Sequence, residues 1–156
     1  MHYATRAGEK LRKEGLTAHT LTVFAHNNPF REEDPQYSGS RVVPLVTPTQ
    51  DTRKLIAAAL AGLKDLYIPD INYKKAGVML TDLVNQDVQQ EDLFDVNDSD
   101  ASKRLMQTID VINQRQGRGT VYLSAEGGSH RSWQMQSKMR SPGYMGSWAD
   151  IRTART

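Results

Sequence analysis

The sequence predicts an α+β fold, in which an antiparallel sheet of three to four strands is covered on one face by two helices. Apolar residues in residues 1–84 recur every three to four positions, or every second position, in the order helix, strand, strand, helix, strand. Residues 101–156 add one more helix and a short strand. The chain is therefore expected to carry a small C-terminal α/β extension.

The first predicted helix covers residues 3–15, where Tyr3, Ala7 and Leu11 share one face and Gly15 is a plausible stop. The first strand, 17–26, alternates with period two. Its buried face is expected to hold three apolar side chains: Leu21, Val23 and Ala25. The opposite face carries four others: Thr20, Thr22, Phe24 and His26.

A long loop over 27–40 leads to a second strand at 41–47, where Pro44 indicates an edge strand or a bulge because proline cannot donate to the ladder. The second helix, 48–67, is the clearest in the chain, and Thr49 or Asp51 is expected to cap it.

The third strand is predicted at 73–84. A helix at the start of such a pattern often follows a strand. We therefore expect that a strand preceding Met1 belongs to this sheet.

Charge divides the chain further. The net charge of +2 is the sum of +1 in residues 1–50, −5 in 51–100 and +6 in 101–156. From Asp87 to Asp100 there are six acidic residues and no basic one. We therefore predict a first domain at 1–84, an acidic linker at 85–100 and a basic extension at 101–156. A basic tail suits a polyanion such as nucleic acid, although a solvated surface without a partner explains it equally well.

The third helix is predicted at about 99–115, capped by Ser99 or Asp98 and ended by Gly117. A short strand flanked by glycines is predicted at 119–128.

Several classes of protein do not fit the composition. The chain has no cysteine, which excludes disulfides and thiolate metal sites and favours a cytoplasmic protein. The longest apolar run, at 55–63, is too short for a membrane span. No histidine pair has metal-ligand spacing, and Asp82 is the only carboxylate near a strand end. We therefore predict no active site, metal or cofactor.

Two features favour binding. Hydroxyl groups on the open strand face, Thr20 and Thr22, combine with basic residues at strand starts: Arg41, Lys74 and Lys75. Such donors are what contacts to DNA phosphates need, although threonine is common on any solvated antiparallel face.

The pentapeptide QEDLF at 90–94 is the second feature. A Leu-Phe pair inside an acidic linker is typical of a peptide that inserts into a groove on another protein, the alternative being that it packs on its own domain.

Eight stretches of the sequence carry a specific resemblance. They are RAGEKLR (6–12), VTPTQDTRKLI (46–56), YKKAGVML (73–80), QEDLFD (90–95), LMQTIDVIN (105–113), GRGTVYLSAEG (117–127), WQM (133–135) and SPGY (141–144). In this order they resemble the C-terminal region of the catalytic subunit of DNA polymerase V, in the UmuC-like branch of the Y-family translesion polymerases. The resemblance covers nearly the whole chain.

The resemblance implies a little-finger domain at 1–84 that grips template-primer DNA through its sheet. The catalytic carboxylates of the family lie in a palm domain outside this chain, so the chain alone is expected not to be an enzyme. The family's clamp-binding peptide has the form QLxLF. Gln90, Leu93 and Phe94 match it, while Glu91 stands where a leucine is usual.

The resemblance thus implies a non-catalytic region that binds primed or damaged DNA and tethers the polymerase to the sliding clamp, the beta subunit of the replicase, during the SOS response. Further implied partners are the processed accessory subunit and the recombinase filament, and the implied location is the bacterial cytoplasm at the nucleoid. Two alternatives stay open. One is an interaction protein that binds clamp or accessory subunit without gripping DNA, and the other is a hydrolase or transferase using residues 117–128.

Overall fold

The fold is taken from a computed structural model, which describes residues 1–31, 33–88 and 98–127. Its helices are α1 (His2–Lys13), α2 (Thr52–Leu66) and α3 (Asp100–Gln116). Its strands are β1 (Leu16–His26), β2 (Ser38–Thr49) and β3 (Lys75–Asn85). Short 3-10 turns cover Gln86–Val88 and Ser124–Glu126.

The three strands form one antiparallel sheet in the order β2-β1-β3. The pairing of β1 with β2 is irregular. Ala18 lies opposite Thr49 and Thr20 opposite Pro44, so two positions along β1 correspond to five along β2. The prediction from Pro44 of an edge strand with an irregularity is confirmed, and β2 is longer at both ends than predicted.

Both α1 and α2 pack on the same face of the sheet, where Leu21 and Leu55 are completely buried. The approach of α2 is close. A Cβ atom at Gly62 would lie 2.9 Å from a methyl group of Val43 and 3.1 Å from one of Val23. These contacts confirm the α+β class with two helices on one face, and they leave the opposite face of β1 open.

The predicted helix signals are confirmed in detail. Asp51 caps α2 by accepting the backbone N–H of Arg53 at 2.8 Å, and Ser99 caps α3 by accepting that of Ser102 at 3.2 Å. Gly15 follows α1 with a φ of 66°, a left-handed conformation that glycine adopts without strain.

The strand predicted at 119–128 is wrong over its described part, residues 119–127, which form turns and a 3-10 turn. The reason is local. The side-chain amide of Asn113 accepts the backbone N–H of Val121 at 2.9 Å and donates to its carbonyl at 2.8 Å. A side chain of α3 thus satisfies the backbone groups that a neighbouring strand would otherwise pair.

A polar network joins α3 to the rest of the fold. The buried carboxylate of Asp98 accepts from the Thr49 hydroxyl at 2.7 Å and from the Gln50 backbone N–H at 3.1 Å. Lys54 contacts the same carboxylate at 3.0 Å. The guanidinium of Arg12 makes a two-pronged contact with Asp110, at 2.6 and 2.9 Å.

The same guanidinium of Arg12 also donates to the Gln50 carbonyl at 2.7 Å and to the Thr52 hydroxyl at 2.9 Å. It therefore connects α1 to the start of α2 as well as to α3.

Asp51 links α2 and α3. Its carboxylate accepts from the Arg53 guanidinium at 2.6 Å and from the Ser102 hydroxyl. Burial alone would raise the pKa of Asp51, but the hydrogen bonds from Arg53 and Ser102 and the charge of Arg53 outweigh it, so this pKa lies below its ordinary value. The charged carboxylate is the form that holds these elements together.

Across residues 1–31, 33–88 and 98–127, none of the helices has the length and apolar character needed to cross a bilayer. The same residues contain no group of three or more side chains that could hold a metal ion.

Candidate nucleic-acid interface

The face of the sheet opposite the helices is the candidate interface, and we call it the open face. Directly opposed residues in an antiparallel pair project to the same side, so the register identifies its members. Thr22 of β1 lies between Val42 of β2 and Met79 of β3, and Phe24 lies between Ser40 and Gly77. The complete set is Ser38, Ser40, Val42, Pro44, Thr20, Thr22, Phe24, His26, Lys75, Gly77, Met79 and Thr81.

The centre of the open face is apolar. A Cβ atom at Gly77 would lie only 2.5 Å from the Phe24 ring, so the ring covers the place where a side chain would stand. On either side of Thr22, Val42 is 59% and Met79 53% exposed. These side chains give the open face an exposed apolar centre.

Hydroxyl groups surround this centre. Thr20 donates its hydroxyl to Asp82 at 2.6 Å, and the backbone of Asp82 has a φ of 53°, which is unusual for a residue other than glycine. The sequence placed Thr20 and Thr22 here correctly. It missed Ser38 and Ser40, because the stretch Ser38–Ser40 was assigned to the loop rather than to β2.

Positive charge collects at one end of the open face. Lys75 lies opposite His26, and the backbone N–H of Lys74 donates to the His26 carbonyl at 2.9 Å. Both lysine side chains are exposed. His26 Nδ1 lies 2.8 Å from the Asn27 carbonyl, which can only accept, so this nitrogen carries the proton.

The structure separates Arg41 from the other predicted contacts. Arg41 lies opposite Val23, whose buried side chain faces the helices. Its guanidinium lies 3.1 Å from the Asp65 carboxylate on α2. The expectation that Arg41 joins Lys74 and Lys75 on one surface is therefore wrong. The sequence predicted a strand beginning at Arg41 but not its pairing register with β1, which determines the face to which Arg41 projects.

The residues predicted to bind the clamp, Gln90, Leu93 and Phe94, lie outside the described residues. The chain that leads to them is anchored at Gln86. Its backbone N–H donates to the Gly15 carbonyl at 3.0 Å, and its side-chain oxygen accepts from the Gln50 side chain at 3.2 Å.

A cavity of about 400 Å³ lies between α1, α3 and residues 118–127. Met106 and Ile109 contribute apolar surface to its wall. His2 lies 3.7 Å from Glu126, another residue of the lining. These groups do not resemble a catalytic arrangement, since no nucleophile is paired with a base in them.

Comparison with known proteins gives two family matches. Residues 1–93 match the impB/mucB/samB family C-terminal domain, and residues 103–154 match a domain of unknown function (DUF4113).

Among curated proteins, the chain is 41% identical to Protein UmuC and 40% identical to Protein ImpB, both of Salmonella typhimurium, over 96% and 99% of its length. It is 38% identical to Protein MucB of Escherichia coli over 97% of its length. The chain spans only 35–36% of these three relatives.

Proposed function

Because this chain belongs to the impB/mucB/samB family through its C-terminal domain, we propose that it is the DNA-binding and clamp-tethering region of an error-prone Y-family translesion polymerase. The family match confirms the resemblance found in the sequence. The proposed setting is DNA repair in the SOS response, in the bacterial cytoplasm at the nucleoid. We propose that catalysis belongs to the part of the relatives outside the 35–36% that this chain spans.

The open face carries the DNA-binding proposal. It lies free of the helices, presents the hydroxyl of Thr22 beside that of Thr20, whose proton the Asp82 carboxylate accepts, and has Lys74 and Lys75 at one end. Small donors and exposed cations suit phosphate oxygens, which account for half or more of protein–DNA hydrogen bonds. Among its described residues, the open face holds no Arg, Asn or Gln, the side chains that read base edges through two hydrogen bonds, so binding should depend little on sequence.

The number of cations sets the expected strength. Each phosphate neutralised adds about 0.9 to the slope of log affinity against log salt. Lys74 and Lys75 together therefore predict a slope near two and weak, salt-sensitive binding.

Fluorescence anisotropy of a primed duplex over a salt series tests this. The double variant Lys74→Ala/Lys75→Ala should lose affinity and about two units of slope. Lys10→Ala/Lys64→Ala removes the same charge from exposed positions on α1 and α2, on the other side of the sheet, and should change little. Equal losses in both double variants would mean that net charge, not the open face, governs binding.

The clamp-tethering proposal rests on Gln90, Leu93 and Phe94 in the acidic linker. Burying the two apolar side chains in a pocket of the ring is worth about 1.5–3 kcal/mol each. Ordering about five residues takes back several kcal/mol, so the expected Kd is about micromolar or weaker. Glu91 weakens it further because a charge stands where leucine would pack.

Isothermal titration against the purified clamp measures how much Phe94, Glu91 and ionic interactions each contribute to the affinity. Phe94→Ala should abolish binding, and Glu91→Leu should tighten it. Added salt should have little effect if apolar insertion dominates. Binding of Phe94→Ala equal to that of the parent would assign the Leu-Phe pair to packing within its own domain.

The second candidate is an interaction protein that binds the clamp or the processed accessory subunit without gripping DNA. The small number of cations at the open face favours it, since Arg41 pairs with Asp65 on the helix side and leaves Lys74 and Lys75 as the lysines for phosphate contact. Measurable binding to the clamp, together with a DNA affinity that does not change with salt concentration, would select this candidate.

A further inference from the structure

Asp82 departs from the regular geometry of β3. Its backbone has a φ of 53°, one of two positive values among the non-glycine residues that the structure describes. Alternate side chains of a regular strand project to opposite faces, so the residue after Thr81, which belongs to the open face, should point toward the helices. The Asp82 carboxylate instead accepts a hydrogen bond at 2.6 Å from the hydroxyl of Thr20, an open-face residue. The left-handed backbone thus brings a carboxylate to the open face.

The stability of the fold does not account for this carboxylate. A left-handed backbone is unfavourable for residues with a Cβ atom, although Asp and Asn tolerate it better than most. Where such strain persists, it is concentrated at ligand-binding and catalytic positions. The hydrogen bond between Thr20 and Asp82 is exposed, and a hydrogen bond that water can replace adds little net stability. A role toward a charged ligand explains the arrangement better.

The open face consequently carries opposite charges at its two ends. Lys75, opposite His26, marks the lysine end, and Asp82, beside Thr20, marks the carboxylate end. His26 and Thr20 are six residues apart on β1, which corresponds to about 20 Å along the strand. Because this exceeds the Debye length of about 8 Å at physiological ionic strength, each end acts on a nearby phosphate separately.

We propose that Asp82 is a phosphate-excluding residue that sets where DNA crosses the open face. The DNA backbone contacts the lysine end and is repelled from the carboxylate end, since like charges placed side by side are strongly unfavourable. Thr20 positions the carboxylate, and its single proton is then not available to a phosphate oxygen. The assignment rests on the proposed function, because it specifies the position of DNA on the same face.

Neutralising the carboxylate tests the proposal by fluorescence anisotropy of the primed duplex. Asp82→Asn keeps the size of the side chain and tolerates the left-handed backbone, and it should raise the DNA affinity about two- to fivefold in about 0.1 M salt. Asp100→Asn, which removes the same charge from an exposed position on α3, should change the affinity little. Thr20→Val removes the hydroxyl but keeps the charge, so it should not raise the affinity.

The lack of cysteine allows the position of the DNA to be mapped. An iron–EDTA group attached to an introduced cysteine cleaves DNA that lies close to it. Two exposed residues of β2 suit the attachment, Ser38 opposite His26 and Pro44 opposite Thr20. Cleavage of the bound duplex should be strong with Ser38→Cys and weak with Pro44→Cys. Adding Asp82→Asn should strengthen the cleavage from position 44 relative to that from position 38.

Two kinds of failure are distinguishable. If the parent binds DNA through Lys74 and Lys75, but Asp82→Asn raises the affinity no more than Asp100→Asn or both cysteine positions cleave equally, Asp82 does not position the DNA. If the parent binds no DNA at any salt concentration, the proposed function is wrong, and the role of Asp82 is wrong with it.

Discussion

The two internal interfaces of this fold differ in their chemistry. Between the sheet and helices α1 and α2, the buried side chains are almost all aliphatic, with Leu21 and Leu55 fully enclosed. Between α3 and the rest of the fold, Met106 is the main buried apolar group of the helix, and Asp98, Asp51 and Arg12 make most of the specific contacts.

This difference indicates which interactions stabilise each part of the fold. Burial of apolar surface does not depend on direction and responds little to salt or pH. A buried carboxylate stabilises the folded state only while its hydrogen-bond donors are in place and it remains charged. Loss of one partner leaves the other polar groups buried and unsatisfied. The sheet and its two helices should therefore resist acid and small distortions, while the attachment of α3 should not.

The largest expected effect is in the apolar interface. Leu21→Ala should cost about 2–5 kcal/mol in the free energy of unfolding, because it leaves a cavity at a completely enclosed position. Met79→Ala, at a half-exposed position on the open face, should stay within about 0.5 kcal/mol. Urea denaturation of the two variants gives both values, and similar losses would show that the aliphatic layer is not the main source of stability.

A smaller and local effect is expected at the polar interface. Asp98→Ala removes the acceptor of the Thr49 hydroxyl and of the Gln50 N–H, and the Gln50 N–H, which cannot rotate to another acceptor, costs about 1–3 kcal/mol when left unsatisfied. Amide hydrogen exchange should accelerate in α3 and at Gln50 while β1 keeps its protection. Asp100→Ala, an exposed acid in the first turn of α3, is the matched control. Acceleration of β1 to the same degree would mean that both interfaces open together.

The smallest effect is the response to acid. Because the pKa of Asp51 is lowered in the native state, its contribution is complete above the ordinary carboxyl pKa and is lost as the pH falls through the lowered value. Amide exchange of α3 should therefore accelerate at acidic pH before that of β1.

The variant Asp51→Asn keeps a good helix cap but cannot change its charge. Its α3 should show a weaker dependence on pH. An unchanged pH profile would assign the acid response to other carboxylates.

Local rules were enough to predict much of this fold from the sequence. The alternation around Leu21 gave both faces of β1, Pro44 gave the irregular edge, and Asp51, Ser99 and Gly15 gave the helix ends. Each of these signals acts within a few residues of itself. The hydroxyls at Thr20 and Thr22 followed from the same alternation.

Contacts between distant residues were not accessible in this way. The face of Arg41 depends on the pairing register of β2 with β1, which the early start of β2 at Ser38 and its irregularity determine. The failure of the strand predicted at 119–128 depends on Asn113 reaching the backbone of Val121. The glycines of that segment form turns rather than flanking a strand. Only their backbone angles reveal this, since Gly119 and Gly127 both have positive φ values.

The position of Arg12 has a consequence for synthesis on the ribosome. Its partner Asp110 follows it by 98 residues, whereas its contacts at Gln50 and Thr52 follow by 38 and 40. Domains form from the N-terminus as the chain emerges, at about 5–20 residues per second. Arg12 can thus fasten α1 to α2 several seconds before α3 exists. Helices α1 and α2 can therefore pack on the nascent sheet first. Asp110 is synthesised later and then attaches α3 to this folded unit.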